Sequence, residues 1–270
     1  MRSLRTSFLF ALTAAVFLAA HAACAQDKAE RVEADVATRS VAITSSFTGA
    51  EILVFGTVVN SRQPGAASLY YDVIVVVDGL AQPAAVRKKS RVAGLWINTS
   101  SVRFSSFPSY YAIAASRPLD EIADPALLKE HSIGFQYVRM VPSGSIRSAP
   151  STAEEAEEYR MAAVRLKQGD GLFVLRDEGG VVFVGNSLFR STIPLPPNVP
   201  VGSLTAHIYL FHDGKLLSEF KRDVDMERAG IERFIYEAAY KSPLLYGMAT
   251  VLIAAAAGLV AAYVFRRVGG

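Results

Sequence analysis

The chain has 270 residues, 51% of them hydrophobic and 20% charged, a balance that excludes a disordered protein and leaves more apolar residues than one soluble core requires. Its formal net charge of +3 belongs to its ends: Arg2 and Arg5 stand near the N-terminus, Arg266 and Arg267 near the C-terminus, and no Asp or Glu accompanies them. Without those four arginines, 24 Lys and Arg face 25 Asp and Glu, which removes the bulk electrostatic case for binding nucleic acid.

Residues 1–25 have the three parts of a secretory signal: Arg2 and Arg5, an apolar run from Phe8 to Ala20, and the small residues Ala23 and Ala25 around Cys24. The apolar run is about 13 residues, short of the roughly 20 that a spanning helix needs, so cleavage after Ala25 is expected rather than an uncleaved anchor. Acylation at Cys24 is disfavoured because His21 stands where such sites take an apolar residue. Cleavage would remove the single cysteine, and with it any disulfide, thiolate nucleophile or cysteine metal ligand.

Residues 26–116 read as a first β region. Runs rich in Val, Ile, Thr, Tyr and Phe at 39–45, 51–59, 69–77, 91–98, 101–104 and 110–115 suggest six short strands, with Asp78-Gly79 as a hairpin signal. That spacing points to a mainly β fold, an immunoglobulin-like antiparallel sandwich, with Trp96 expected in its core. Arg87, Lys88, Lys89 and Arg91 cluster between two of these strands. They form a candidate patch for anionic lipid heads, an acidic partner loop or a small oxyanion, set against a solvated loop that protects a sheet edge.

Residues 117–170 change character. Asp124-Pro125 opens a short helix to about His131, and Pro150, Ser151 and Glu154 suggest a capping box for a helix ending near Gly169. A second β region, 171–224, holds two expected hairpins, one turning at Gly179-Gly180 and one at Asp213-Gly214. Between them Pro194, Pro196, Pro197 and Pro200 suggest an extended loop unable to join a central ladder. The sequence leaves open whether the two β regions share one sandwich.

From 225 to 243 the period becomes helical, with Ile231, Phe234, Ile235, Ala238 and Ala239 on one face of a stalk. That face could lie on a membrane, on the sandwich or on a partner. Residues 244–265 are uncharged and long enough to span a bilayer, flanked by Tyr246 and Tyr263 and followed by Arg266 and Arg267 in a tail of residues 266–270. The positive-inside rule places that pair in the cytoplasm and the body outside it, periplasmic in a bacterium. Ala254, Gly258 and Ala262 recur every four residues, a candidate helix-packing face for another membrane protein or a second copy, or a consequence of an alanine-rich composition.

The strings FTGAEILVFG (47–56), RVAGLWIN (91–98), SRPL (116–119) and LFRSTIPLPPNVPVG (188–202), between a signal and one C-terminal span, resemble the alphaproteobacterial putative transmembrane protein family. The resemblance implies an inner-membrane protein and, as partner, a sulfite-exporter-like permease; it carries no catalytic residues. The residues themselves offer little chemistry. Beyond the signal only His131, His207 and His212 remain, and His207 and His212 fall on opposite faces of a strand. Ser187 lacks the glycine of a nucleophile elbow, the glutamates 154, 155, 157 and 158 suit a helix N-terminus, and no phosphate or dinucleotide fingerprint appears. The expectation is a non-enzymatic accessory or scaffold without cofactor; the alternative is a tethered domain that binds a small anion or envelope component.

Overall fold

The computed structural model describes residues 29–44, 46–147, 152–229 and 231–268; the expected signal peptide, Pro150 and Ser151 lie outside them. The first strands are β1 (Arg31–Val36), β2 (Ser40–Ile43), β3 (Ala50–Val59), β4 (Asp72–Gly79), β5 (Ala81–Val92), β6 (Leu95–Pro108) and β7 (Tyr111–Ala115). Helices α1 (Leu119–Ile122) and α2 (Pro125–Glu130), a 3₁₀ turn at Phe135–Tyr137, β8 (Val141–Arg147) and α3 (Ala153–Gly169) follow. Then come β9 (Phe173–Arg176), β10 (Val181–Val184), β11 (Leu188–Leu195), β12 (Gly202–His212), β13 (Lys215–Arg228), α4 (Ile231–Lys241) and α5 (Pro243–Val268).

These strands form three sheets in the orders β1-β3-β11-β10, β2-β13-β12-β4-β7-β9 and β5-β6-β8. The protein is mainly β and most pairings are antiparallel, as the sequence suggests; the exceptions are parallel pairs of β2 with β13 and β9 with β7. Because β3 pairs with β11 and β4 with β12, strands from the two β regions share the same sheets. The alternation read in β12 holds from Leu204 to Ile208, with Leu204, Ala206 and Ile208 buried in the core, but Tyr209 and Phe211 beyond it are buried together with Leu210.

Glycine and aromatic residues set the close approach between strands. Gly56 in β3 lies opposite Phe189 in β11, and a Cβ added there would sit 2.5 Å from the Phe189 ring. Phe189 is fully buried, so its ring occupies the volume that a side chain at 56 would need. At the open end of β4, buried Asp72 accepts two hydrogen bonds from Arg117, one from Nε at 2.9 Å, and a third from Ser116 Oγ at 2.9 Å. The SRPL string is thus a clamp on a buried carboxylate, which is stable out of water only when so paired.

Several elements depart from the sequence reading. Asp78-Gly79 is not a turn: β4 and β7 pair up to Asp78 with Tyr111, and the ladder continues through Leu80 into β5 and β6, where Ala81 faces Pro108. A Cβ at Gly79 would meet the Ser109 hydroxyl and come within 3.1 Å of both the Leu204 side chain and the Tyr110 amide nitrogen. The turn comes at Ala93-Gly94, with φ of 50° and 85°, the left-handed pair that joins a two-residue hairpin. Likewise β9 and β10 do not form a hairpin but belong to different sheets, with Gly180 passing tightly against Ala114. Pro194 does enter a ladder, opposite Glu51, but beyond the end of β10, where β11 pairs on one side only. Residues 141–147, within the segment read as helical, pair with β6, and β13 runs to Arg228 where the stalk helix was expected to begin at 225. Thr152, rather than the Ser151 box, caps α3 by accepting from the Glu155 amide at 3.1 Å.

The last element is one long apolar helix. Its segment Pro243–Ala262 has mean hydropathy 2.1 and none of it is buried, as a helix meant for lipid requires.

Candidate functional site

Two places on the body combine exposure with chemistry. The first is a cavity of about 310 Å³ on the outer face of the six-stranded sheet, with several ionisable side chains in its lining. Outward residues of β4, β12 and β13 form its floor, and the segment after α2 forms its wall. That wall is pinned by Tyr111, whose hydroxyl donates to the Ser132 carbonyl at 2.7 Å and accepts from the Gly134 amide.

His207 lies at the centre of the floor, with Nε2 3.0 Å from Asp78 Oδ1 and Nδ1 3.2 Å from Glu219 Oε1. The hydrogen bond to Asp78 raises its pKa above the ordinary histidine value; partial burial opposes the shift and Glu219 adds to it. Burial works against a charged Glu219, but hydrogen bonds from His207 and Lys221 outweigh it and hold that carboxyl below its ordinary value. Burial, reinforced by Glu219, pushes the Tyr209 phenol well up. The His207 and His131 rings both pack on Tyr209, at 6.2 and 5.4 Å between centroids, and Arg139 hydrogen-bonds Ser132 beside them. His131 and His207, far apart in sequence, thus share a cavity, while His212 stacks on Tyr70 elsewhere. Sequence spacing compared His207 with His212 and missed the pairing, which only the crossing of the 131–139 segment over β12 creates. Among the described residues no group of His, Cys, Asp and Glu has a metal-holding arrangement.

The second place is the β5–β6 arm. Trp96, expected in the core, is 69% exposed at its tip, with Leu95 exposed equally and Val92 and Ile97 beside them. The core expectation fails because the string RVAGLWIN is not one strand but two strand ends around the Ala93-Gly94 turn, beyond the reach of either large sheet. The basic cluster lies on β5 just below. Lys88 turns to α3 and pairs with Glu158 at 3.0 Å, which raises its pKa. Arg87, Lys89 and Arg91 alternate with it on the other face and make no ion pair with the described residues, Arg91 lying opposite Trp96. In α5, Ala254, Gly258 and Ala262 are exposed, a Cβ at Gly258 would meet nothing, and Tyr246 is at the margin of exposure. Arg266 is exposed; the side chains of Tyr263 and Arg267 lie outside the described residues.

The family model described as Putative transmembrane protein (Alph_Pro_TM) matches residues 31–267, the whole body and the apolar helix. The chain belongs to that family. Alph_Pro_TM membership agrees with the one candidate membrane-spanning helix among the described residues, carried on a β-rich body, and names no activity. No curated protein matches the sequence. Among solved structures, the sporulation control protein Spo0M of Bacillus subtilis aligns at 11% identity and a TM-score of 0.28, over 79% of this chain. The chain covers 56% of that protein's length.

Proposed function

We propose that this Alph_Pro_TM protein is a non-enzymatic accessory or scaffold subunit of a bacterial inner-membrane complex, with its β body in the periplasm and the Arg266-Arg267 end in the cytoplasm. The observation that carries the reading is the bare spanning helix: no part of Pro243–Ala262 is covered by the body, and Ala254, Gly258 and Ala262 leave one side flat enough for another helix backbone. A sulfite-exporter-like permease is the class of partner the family resemblance favours.

Mild-detergent purification from native membranes, with partner identity and intact complex mass read together, tests it. A stoichiometric permease, lost on Gly258→Leu, is expected; a lone monomer would overturn the scaffold reading. The cavity favours a second reading, a tethered binding domain, since it gathers Arg139, Lys221 and His207 with the carboxylates of Asp78, Glu130 and Glu219 on one concave surface. Such a domain would keep its ligand after the Gly258→Leu change.

A further inference from the structure

The arm and the spanning helix leave the body at the same end. Gly79 and Val224 both lie opposite Leu204 of β12, so β4 and β13, on either side of β12, run in the same direction toward that end. From this row β13 continues to Arg228 and feeds α4 and α5, while β4 continues into the arm. The root of the arm touches that exit directly, with the Leu80 side chain 2.9 Å from where a Cβ on Gly202 would be, and Gly202 pairs with Met226.

Length decides what the arm can touch. Twelve residues of β5 extend roughly 40 Å at ~3.3 Å per residue. The eleven residues of α4, which separate β13 from the membrane helix, cover only about 16 Å at 1.5 Å per residue. From the shared row, residues 225–228 of β13 add about 13 Å to the stalk, so an arm of roughly 40 Å that keeps the direction of β4 still reaches the level at which the membrane helix begins. What it carries there matches a lipid surface. Val92, Leu95, Trp96 and Ile97 are exposed apolar groups, and Trp is the side chain that most favours the boundary between water and hydrocarbon. Behind them Arg87, Lys89 and Arg91 form a positive stripe that complements anionic headgroups. Phe234 and Tyr240 of α4, both 74% exposed, present further apolar surface at the same end.

We propose that the tip of the β5–β6 hairpin is a second membrane contact, in which Val92, Leu95, Trp96 and Ile97 enter the interfacial layer of an anionic bilayer while Arg87, Lys89 and Arg91 meet its headgroups. The contact goes beyond the scaffold reading and does not depend on it, since it requires no protein partner. It would hold the body at a fixed tilt over the membrane instead of leaving it to swing on α4.

Trp96 is the only tryptophan in the chain, so its fluorescence reports the tip without background. The full chain is placed in nanodiscs of neutral phosphatidylcholine, or of phosphatidylcholine with one third phosphatidylglycerol, each with and without brominated acyl chains. In the anionic discs bromine is expected to lower the emission at least twofold and acrylamide access to fall by a similar factor, with a weaker effect in neutral discs. The triple change Arg87→Ser, Lys89→Ser, Arg91→Ser, which touches only exposed side chains, should remove most of the difference between the two lipids. Emission unaffected by bromine in the wild-type chain, in both lipids, would overturn the proposal without any variant being needed. Shielding of Trp96 in native membranes but not in anionic discs would overturn it in favour of a protein occupant.

Discussion

One antiparallel ladder, residues 72–92 paired with 95–115, passes through two environments, and its two halves teach different things. In β4 and β7 every residue but Asp78 is buried, and each side chain meets a neighbour in the sandwich. In β5 and the first half of β6 the same backbone pairing continues with most side chains in water. Backbone pairing is common to both halves; burial of both faces of β4 stabilises the inner half further, at about 25 cal/mol per Å² of apolar surface. The outer half rests on α3 and β8 along part of its length and on nothing described at its tip. An apolar tip that contributes no packing is expected to act outside the chain.

That contrast can be broken by substitution. The largest effect is expected at Phe189→Ala, which empties the site against Gly56 and should lower unfolding free energy by about 3–5 kcal/mol in a denaturant titration of the detergent-solubilised chain. Next is Arg117→Met, which strands the Asp72 carboxylate at the root of the ladder. Because Arg117 is partly exposed, the loss is expected near ~2 kcal/mol rather than the full value for a buried pair. Tyr110→Phe removes the hydroxyl that donates to the Pro194 carbonyl across the sandwich and should cost about 1 kcal/mol. At the tip, Trp96→Ser should change stability by less than about 0.5 kcal/mol while altering membrane contact. A loss at Trp96 comparable to that at Phe189 would erase the distinction between the halves.

The cavity gives a pH test of intermediate kind. His207 has a raised pKa in the folded protein, so its contribution is fully present below about pH 6.5, the unfolded value, and is lost as pH rises through the higher folded value. Melting temperature of the wild type should therefore fall across that window relative to His207→Asn, whose profile lacks the step. Parallel profiles would show that Asp78 and Glu219 do not hold the imidazolium.

The sequence makes the buried half legible and obscures the exposed half for physical reasons. Alternation from Leu204 to Ile208 in β12 and the Asp213-Gly214 turn are local properties, and both stand where the residues place them. Pairing of β3 with β11 is not local, since it depends on which apolar faces meet across more than a hundred residues. RVAGLWIN carries the composition of a core strand, and nothing within those eight residues says that Ala93 takes a positive φ and turns the chain. Gly79 shows the converse error: a glycine that reads as a turn lies within a ladder, where an added Cβ would crowd the Ser109 hydroxyl, the Leu204 side chain and the Tyr110 amide. For the site, Arg87, Lys88, Lys89 and Arg91 are visible as a run, but their division into one ion-paired lysine and three outward cations comes from the strand pleat and the position of α3.

The most direct test of the central claim, that the outer half of the ladder ends in an uncovered apolar tip, is acrylamide quenching of Trp96 in the full chain held in a lipid-free amphipol. The account predicts red-shifted emission and quenching close to that of free tryptophan, unchanged by Phe234→Ser. Blue-shifted emission protected from acrylamide in the absence of lipid would mean that the body covers Trp96, and would contradict it.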